Sequence, residues 1–282
     1  MQIKKNFIHS FHSKPAKNKE KNICLSSAYL PRIHYCRKKC RQYLHNPEKS
    51  SNFAGRIKYP KNMKVINLSE HPSLLNQYLK ELRSITIQKD SMRFRKNIER
   101  IGQIMAFEVS KELTYAPEEV TTPLAVAKME IIQDPIVLGT ILRAGLPLHQ
   151  GFLDMFDHAE NAFVSAYRKE MENEEGQVQL EIVSEYLAAP ALENKTLLLI
   201  DPMLATGMSM EIAYKALLSH GTPASTHLVC VFATPQAIKH LEETMPKDTT
   251  LWCTVIDPEL NAKKYIVPGL GDAGDLCFGQ KL

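Results

Sequence analysis

In Leu197-Leu-Leu-Ile-Asp-Pro-Met-Leu-Ala-Thr-Gly-Met-Ser209 a short apolar run breaks into an acid, a proline and a turn about the size of a phosphate group. It reads as strand, loop and helix. Beyond it Met210, Ala213, Tyr214, Leu217 and Leu218 recur at the i, i+3, i+4, i+7, i+8 spacing of a helix lying on a sheet. The loop is thereby placed at a strand's carboxyl end, the edge where parallel α/β sheets bind ligands. Its backbone N–H groups and the Thr206 and Ser209 hydroxyls would face an anion at the helix N-terminus, and Asp201 would accept hydrogen bonds from sugar hydroxyls. The same pattern also opens helices that bind nothing, with Thr or Ser as a plain cap. Neither G-x-x-x-x-G-K-[ST] nor G-x-G-x-x-G occurs, which excludes a P-loop and a dinucleotide fingerprint.

Working outward, strands are expected at 136–142, 162–167, 196–200, 227–232 and 250–256. Helices are expected at 145–156, 209–220 and 235–244. Upstream, 65–68 reads as a strand, Ser69 or Ser73 can start a helix running to Leu82, and a long helix spans 91–113. Strands alternating with helices of this length call for an α/β fold, a right-handed parallel sheet flanked by helices. Between Arg168 and Pro190 the period changes. Val178, Leu180 and Ile182 alternate with Gln179 and Glu181 beside Glu174-Glu175-Gly176, which predicts a projecting β-hairpin, either a flap over a site or an ornament.

Charge is uneven along the 282 residues. Residues 1–62 hold 15 of the 35 Lys and Arg against two acids, Glu20 and Glu48, a balance of +13; residues 63–282 carry −9. With few periodic apolar residues this basic leader lacks the burial needed to offset the entropy of ordering, and disorder is expected. Three origins compete for it: a start codon assigned upstream of Met63, a targeting peptide, or a basic arm for nucleic acid or membrane. No apolar run follows the early lysines, which argues against a secretory signal. Cys24, Cys36 and Cys40 with His34 and His45 invite a zinc reading, but Cys36-x-x-x-Cys40 is one weak pair without a second at zinc-finger spacing. Cys230 and Cys253 lie in apolar runs as reduced core residues, and a cytoplasmic protein is expected.

Two further motifs carry chemistry. Ile141-Leu-Arg-Ala-Gly145 ends a strand in an arginine, and Arg168 follows the strand expected at 162–167, so two guanidiniums would converge with the Asp201 loop at neighbouring strand ends. Each can grip phosphate oxygens bidentately, at on the order of 1.5 to 3 kcal/mol per charge-assisted bond. The chain closes on Tyr265-Ile-Val-Pro-Gly-Leu-Gly-Asp-Ala-Gly-Asp275 and Cys277-Phe-Gly279. Four of its twelve glycines fall between Gly269 and Gly279, so the backbone there must turn repeatedly or approach a ligand closely. Exposed N–H, C=O, N–H groups would match the acceptor, donor, acceptor edge of uracil without any side chain.

These three motifs in this order resemble the uracil phosphoribosyltransferases, over residues 63–282. The resemblance implies a type I phosphoribosyltransferase fold with a small hood built partly from the C-terminal segment. It implies that Asp201, Pro202, Met203, Leu204, Ala205, Thr206, Gly207, Met208 and Ser209 bind the ribose 5-phosphate part of phosphoribosyl pyrophosphate, while Arg143 and Arg168 face its pyrophosphate. Ile266, Gly271, Asp272 and Ala273 would present backbone groups to uracil, flanked by Tyr265, with Asp272 also near the phosphoribosyl group and its Mg²⁺. The catalytic set is then Arg143, Asp201 and Asp272, and the reaction is uracil plus phosphoribosyl pyrophosphate giving UMP and pyrophosphate. A homo-oligomer is implied, with no membrane partner. The rival reading is a non-catalytic relative that binds nucleotide or RNA through the basic leader. Three departures from the family pattern stand out: Met208 replaces a glycine of the loop, Leu276 a basic residue and Gln280 a threonine. The segment 169–189 also lacks the usual Glu-Thr-Leu run.

Overall fold

The computed structural model describes residues 63–172 and 178–281. The basic leader and its cysteines lie outside the described residues. In chain order come β1 (Lys64–Asn67), α1 (Leu74–Arg83), α2 (Ser91–Ser110), β2 (Tyr115–Thr121), β3 (Val126–Ile132), β4 (Ile136–Leu142), α3 (Gly145–Leu153), β5 (Glu160–Glu172) and β6 (Val178–Ala188). There follow β7 (Thr196–Ile200), β8 (Met203–Leu204), α4 (Met208–Leu217), β9 (Ser225–Ala233), α5 (Pro235–Thr244), β10 (Thr250–Ile256), β11 (Glu259–Leu260), β12 (Ile266–Val267) and α6 (Ala273–Phe278).

One sheet runs in the order β1-β10-β9-β7-β4-β5-β6, with β8 paired to β9. Every pairing in it is parallel except β5 with β6. The central strand β7 is buried at all five residues, because helices cover both faces and a parallel strand in that setting is a continuous apolar run. Its side chains alternate between two cores. Leu198 and Ile200 join Ile101, Met105, Leu148 and Phe152 of α2 and α3, while Leu197 and Leu199 join Met210, Ala213 and Leu217 of α4 and Leu241 of α5.

Local signals set the helix ends. Ser73 and Asn76 form a reciprocal capping box on α1, Asp90 caps α2, and Thr234 followed by Pro235 opens α5. Two glycines let α2 and α3 touch: a Cβ on Gly151 would fall 2.1 Å from the Glu99 carbonyl, and one on Gly102 2.6 Å from that of Leu148.

Some expectations need correction. Helix α3 stops at Leu153 rather than 156, and α4 starts at Met208 and tightens into a 3₁₀ turn over Leu218–His220. The strand expected at 162–167 and the first arm of the hairpin are one 13-residue strand, β5, bulged between Ser165 and Ala166 and paired with β6 along the sheet's edge. The β2–β3 hairpin stands outside the main sheet and went unread, since its residues are mostly exposed and show no clean alternation. No helix among the described residues is long and apolar enough to cross a membrane.

Candidate active site

The chain leaves β4 through α3 to reach β5 on one side of β4, whereas β7 leads through α4 to β9 on the other side. Oppositely directed crossovers open a crevice beyond the carboxyl ends of β4 and β7, the topological switch point of the sheet. Arg143 follows the one strand and Asp201 follows the other. A cavity of about 830 Å³ lies there.

Fourteen residues of the three motifs line it, among them Arg143; Asp201, Met203, Ala205 and Ser209; Tyr265, Ile266, Gly271, Asp272 and Ala273. The rest of the Asp201 loop supports it from behind. The Pro202 carbonyl accepts the Val231 and Phe232 N–H groups at 3.1 and 2.9 Å, Leu204 is buried and paired with Ala233, and the Thr234 hydroxyl donates to the Ala205 carbonyl at 2.8 Å. Gly207 sits at φ +82 as the N-cap of α4, wedged against Ala237 and His240 of α5. This turn is what glycine permits and a side chain resists. Met208 is the first residue of α4 and half-exposed, so the helical backbone its position demands is present. The N–H groups from Thr206 to Ser209 meet no acceptor among the described residues, as the first turn of a helix leaves them.

Asp201 accepts a hydrogen bond from the Met203 N–H at 3.1 Å. Burial nevertheless pushes its carboxyl up to about 7, the backbone donor offsetting only part of the desolvation. The Arg143 guanidinium donates to the Asp275 carboxylate at 3.0 Å and to the Gly279 carbonyl at 3.3 Å, tying the end of β4 to the C-terminal helix. Two of its five N–H donors are used so, and Arg143 lines the cavity. Asp272 caps α6, taking the Asp275 N–H at 3.0 Å, with the Lys281 ammonium 3.9 Å from its other oxygen.

Arg168 does not end a strand. It lies within β5, paired with Ile182 and three residues past Ser165, which does line the cavity. The strand runs on past Tyr167 because its backbone stays paired with β6 as far as Glu172.

Two features escaped the sequence reading. Lys263, Lys264 and Lys281 also line the cavity; only their basic character near a glycine-rich segment could have flagged them. The other is an ion pair. Arg83 at the end of α1 grips the buried Asp257 carboxylate through two bonds of 2.9 and 2.7 Å and stacks over Phe232, 4.7 Å from the ring centre. The same guanidinium donates to the Gly269 carbonyl at 3.0 Å, and Asp257 accepts the Gly269 N–H at 2.9 Å. Residues 83 and 257 are 174 apart in the chain, so no local pattern announces the pair.

A parallel sheet with flanking helices, an anion-ready loop after β7 and a hood of β11, β12 and α6 define the class of type I phosphoribosyltransferases. The family model for uracil phosphoribosyltransferase matches residues 68–280, and the chain belongs to that family. Among relatives, uracil phosphoribosyltransferase of Porphyromonas gingivalis is 52% identical over 220 residues, covering 78% of this chain and all of that protein. The enzyme of the same name from Pyrobaculum arsenaticum is 42% identical over 190 residues, covering 67% of this chain and 88% of the other. A solved structure of an Aquifex aeolicus protein superposes with a TM-score of 0.65 at 30% identity, covering 76% of this chain and 98% of that one.

Proposed function

We propose that this uracil phosphoribosyltransferase, which makes UMP and pyrophosphate from uracil and phosphoribosyl pyrophosphate, divides the work among the three motifs gathered at the switch point. That gathering of residues far apart in sequence around one cavity is the observation that carries the reading. The Asp201 loop holds the ribose 5-phosphate: free N–H groups at the start of α4 take the phosphate, and Asp201 takes the ribose hydroxyls. Arg143, with Arg168 further along β5, faces the pyrophosphate. Ile266, Gly271, Asp272 and Ala273 present backbone groups to the uracil edge, with Tyr265 beside it.

In this arrangement N1 of uracil attacks C1′ while the bond to the pyrophosphate oxygen breaks, with inversion at C1′, and the N1 proton is given up to solvent. Negative charge grows on the leaving pyrophosphate, and the fixed Arg143 guanidinium stabilises it without reorganising. Positioning by the two loops supplies the remainder, and no protein nucleophile takes part. Mg²⁺ carried on phosphoribosyl pyrophosphate would neutralise part of that charge. The donor set suits a hydrated ion: Asp201 and Asp272 both line the cavity, each accepting a backbone N–H on one oxygen, while the second Asp272 oxygen lies 3.9 Å from the Lys281 ammonium.

A homo-oligomer fits the outward-facing apolar residues of the β2–β3 hairpin, where Leu124, Val126 and Met129 are 96%, 58% and 50% exposed. A cytoplasmic site of action fits three buried free thiols, of which Cys230 and Cys253 are neighbours in register on β9 and β10.

The test is direct. The purified chain with uracil, phosphoribosyl pyrophosphate and Mg²⁺ is expected to yield UMP, with cytosine and hypoxanthine inert in competition. No UMP would end the functional reading. Unchanged rates in both Asp201→Asn and Arg143→Ala, with the fold intact, would end the assignment of roles.

A further inference from the structure

Strands β11 and β12 pair Glu259 with Val267 and Leu260 with Ile266. The turn between them is closed by Asn261 alone: its N–H donates to the Tyr265 carbonyl at 2.9 Å, its carbonyl accepts the Lys264 N–H at 2.9 Å, and its side-chain oxygen accepts the N–H groups of Lys263 and Tyr265 at 2.9 and 3.0 Å. A hairpin loop of three residues places the last of them in the left-handed region, a position suited to glycine or asparagine. Lys264 occupies it, at φ +63. Among the described residues only two non-glycines have positive φ, and the other is Asn194, whose short amide tolerates the conformation. Lysine has no such compensation, so its backbone is held against its own preference by the Asn261 bonds.

That strain coincides with a ligand-sized space. Lys263 and Lys264 line the same cavity as Arg143, the Asp201 loop and Lys281. The side chains lining it include four cations against two carboxylates, Asp201 and Asp272, and the Asp272 carboxylate already lies 3.9 Å from the Lys281 ammonium. The cavity therefore presents a positive field to whatever enters, and the β11–β12 turn contributes half of its cationic groups.

We propose that Lys264 is a further substrate-binding residue, its ammonium group recognising the polyphosphate part of phosphoribosyl pyrophosphate from the hood side of the cavity, with Lys263 beside it strengthening the local field. This inference rests on the functional reading above. It assigns to the hood a part in holding the phosphorylated cosubstrate in addition to the base. A glycine at 264 would relax the turn; a lysine there keeps a charge at the cavity.

Three substitutions separate charge from backbone. Lys264→Gly removes both the charge and the strain, Lys264→Gln removes only the charge, and Lys264→Arg keeps the charge. The expected result is a KM for phosphoribosyl pyrophosphate raised about three- to tenfold in Lys264→Gly and Lys264→Gln, with Lys264→Arg close to the parent. The KM for uracil should stay unchanged in all three. Raising the salt concentration should weaken cosubstrate capture less steeply in the Gly and Gln variants than in the parent. Lys247→Ala, at the amino end of β10 on the opposite edge of the sheet, is the control for loss of one positive charge. Lys264→Gly should melt no lower than the parent, so a loss of fold cannot mimic the effect.

An unchanged cosubstrate KM in the Gly and Gln variants overturns the proposal. So does a rise in Lys264→Gly that Lys264→Gln does not share, since charge would then be irrelevant, or an equal rise in Lys264→Arg. Calorimetric titration with phosphoribosyl pyrophosphate itself reads the same contrast without turnover. An inactive parent that binds this ligand in a Lys264-dependent way would break the reading of function while leaving the inference standing.

Discussion

The Asp201 loop and the closing segment from Tyr265 to Ala273 wall the same cavity, yet they are held in opposite ways. The loop is built by contiguous residues: strand β7 delivers it, Pro202 locks onto β9, Gly207 turns it into α4, and its hydrogen bonds are made within about thirty residues. The closing segment is held locally only near its ends, by the Asn261 turn with the β11–β12 pairing and by the Asp272 cap. It is fastened from α1 and β10 by Arg83 and Asp257, which take Gly269 by both its carbonyl and its N–H. A ligand loop made by its own sequence can be altered one residue at a time. A loop held by a distant ion pair stands or falls with that pair.

The sharpest way to break the contrast is at Asp257. Asp257→Ala leaves the Arg83 guanidinium without its carboxylate in a mostly buried place and releases the Gly269 N–H, and we expect a loss of about 3 to 5 kcal/mol in chemical denaturation. Where enough folded protein remains, the KM for uracil should rise more than that for phosphoribosyl pyrophosphate. Equal changes in both would mean the pair does not specifically serve the base loop.

At Asp201 the effect should fall on turnover rather than on the fold. Asp201→Asn should cut kcat/KM on the order of 10²-fold through lost positioning of the ribose. Its stability should move the other way. The folded carboxyl sits near 7, above its ordinary 3.8, so it favours the fold while protonated and loses that contribution as pH rises through about 4 to 7. The amide has no such dependence, and at pH 8 the variant should be more stable than the parent by about 1 to 3 kcal/mol. For the parent, cosubstrate capture should weaken as pH falls below about 7, because the protonated acid offers ribose one acceptor fewer. A flat profile from pH 6 to 8 would contradict the ribose role.

Smaller effects sharpen the local side of the comparison. Gly207→Ala forces a side chain to φ +82 with its Cβ 3.0 Å from His240 and 3.1 Å from the Ala237 carbonyl, and should cost about 1 to 2 kcal/mol while raising the KM for phosphoribosyl pyrophosphate alone. Thr234→Ala removes the cap of α5 and the bond to the Ala205 carbonyl, at about 1 kcal/mol with uracil binding untouched. A change in the KM for uracil in either variant would show the two walls to be coupled.

Sequence by itself determined the α/β class, because the strands that form the centre of the sheet are buried on both faces and must be apolar throughout. β4, β7 and β10 fall where their apolar runs predict, as does α5 between its Thr-Pro start and Thr244. It also marked the three motifs, since turns that approach a ligand closely need glycine, proline and acids at set places. The tertiary structure alone decided which motif residues reach the cavity and which stand behind it. It alone carried β5 past Arg168, set the β2–β3 hairpin apart, and brought Lys264 and the Arg83–Asp257 pair to the site. The physical reason is range. Periodicity and capping act over a few residues and leave a pattern in the chain, whereas an ion pair spanning 174 residues or a lysine strained at a hairpin tip leaves none.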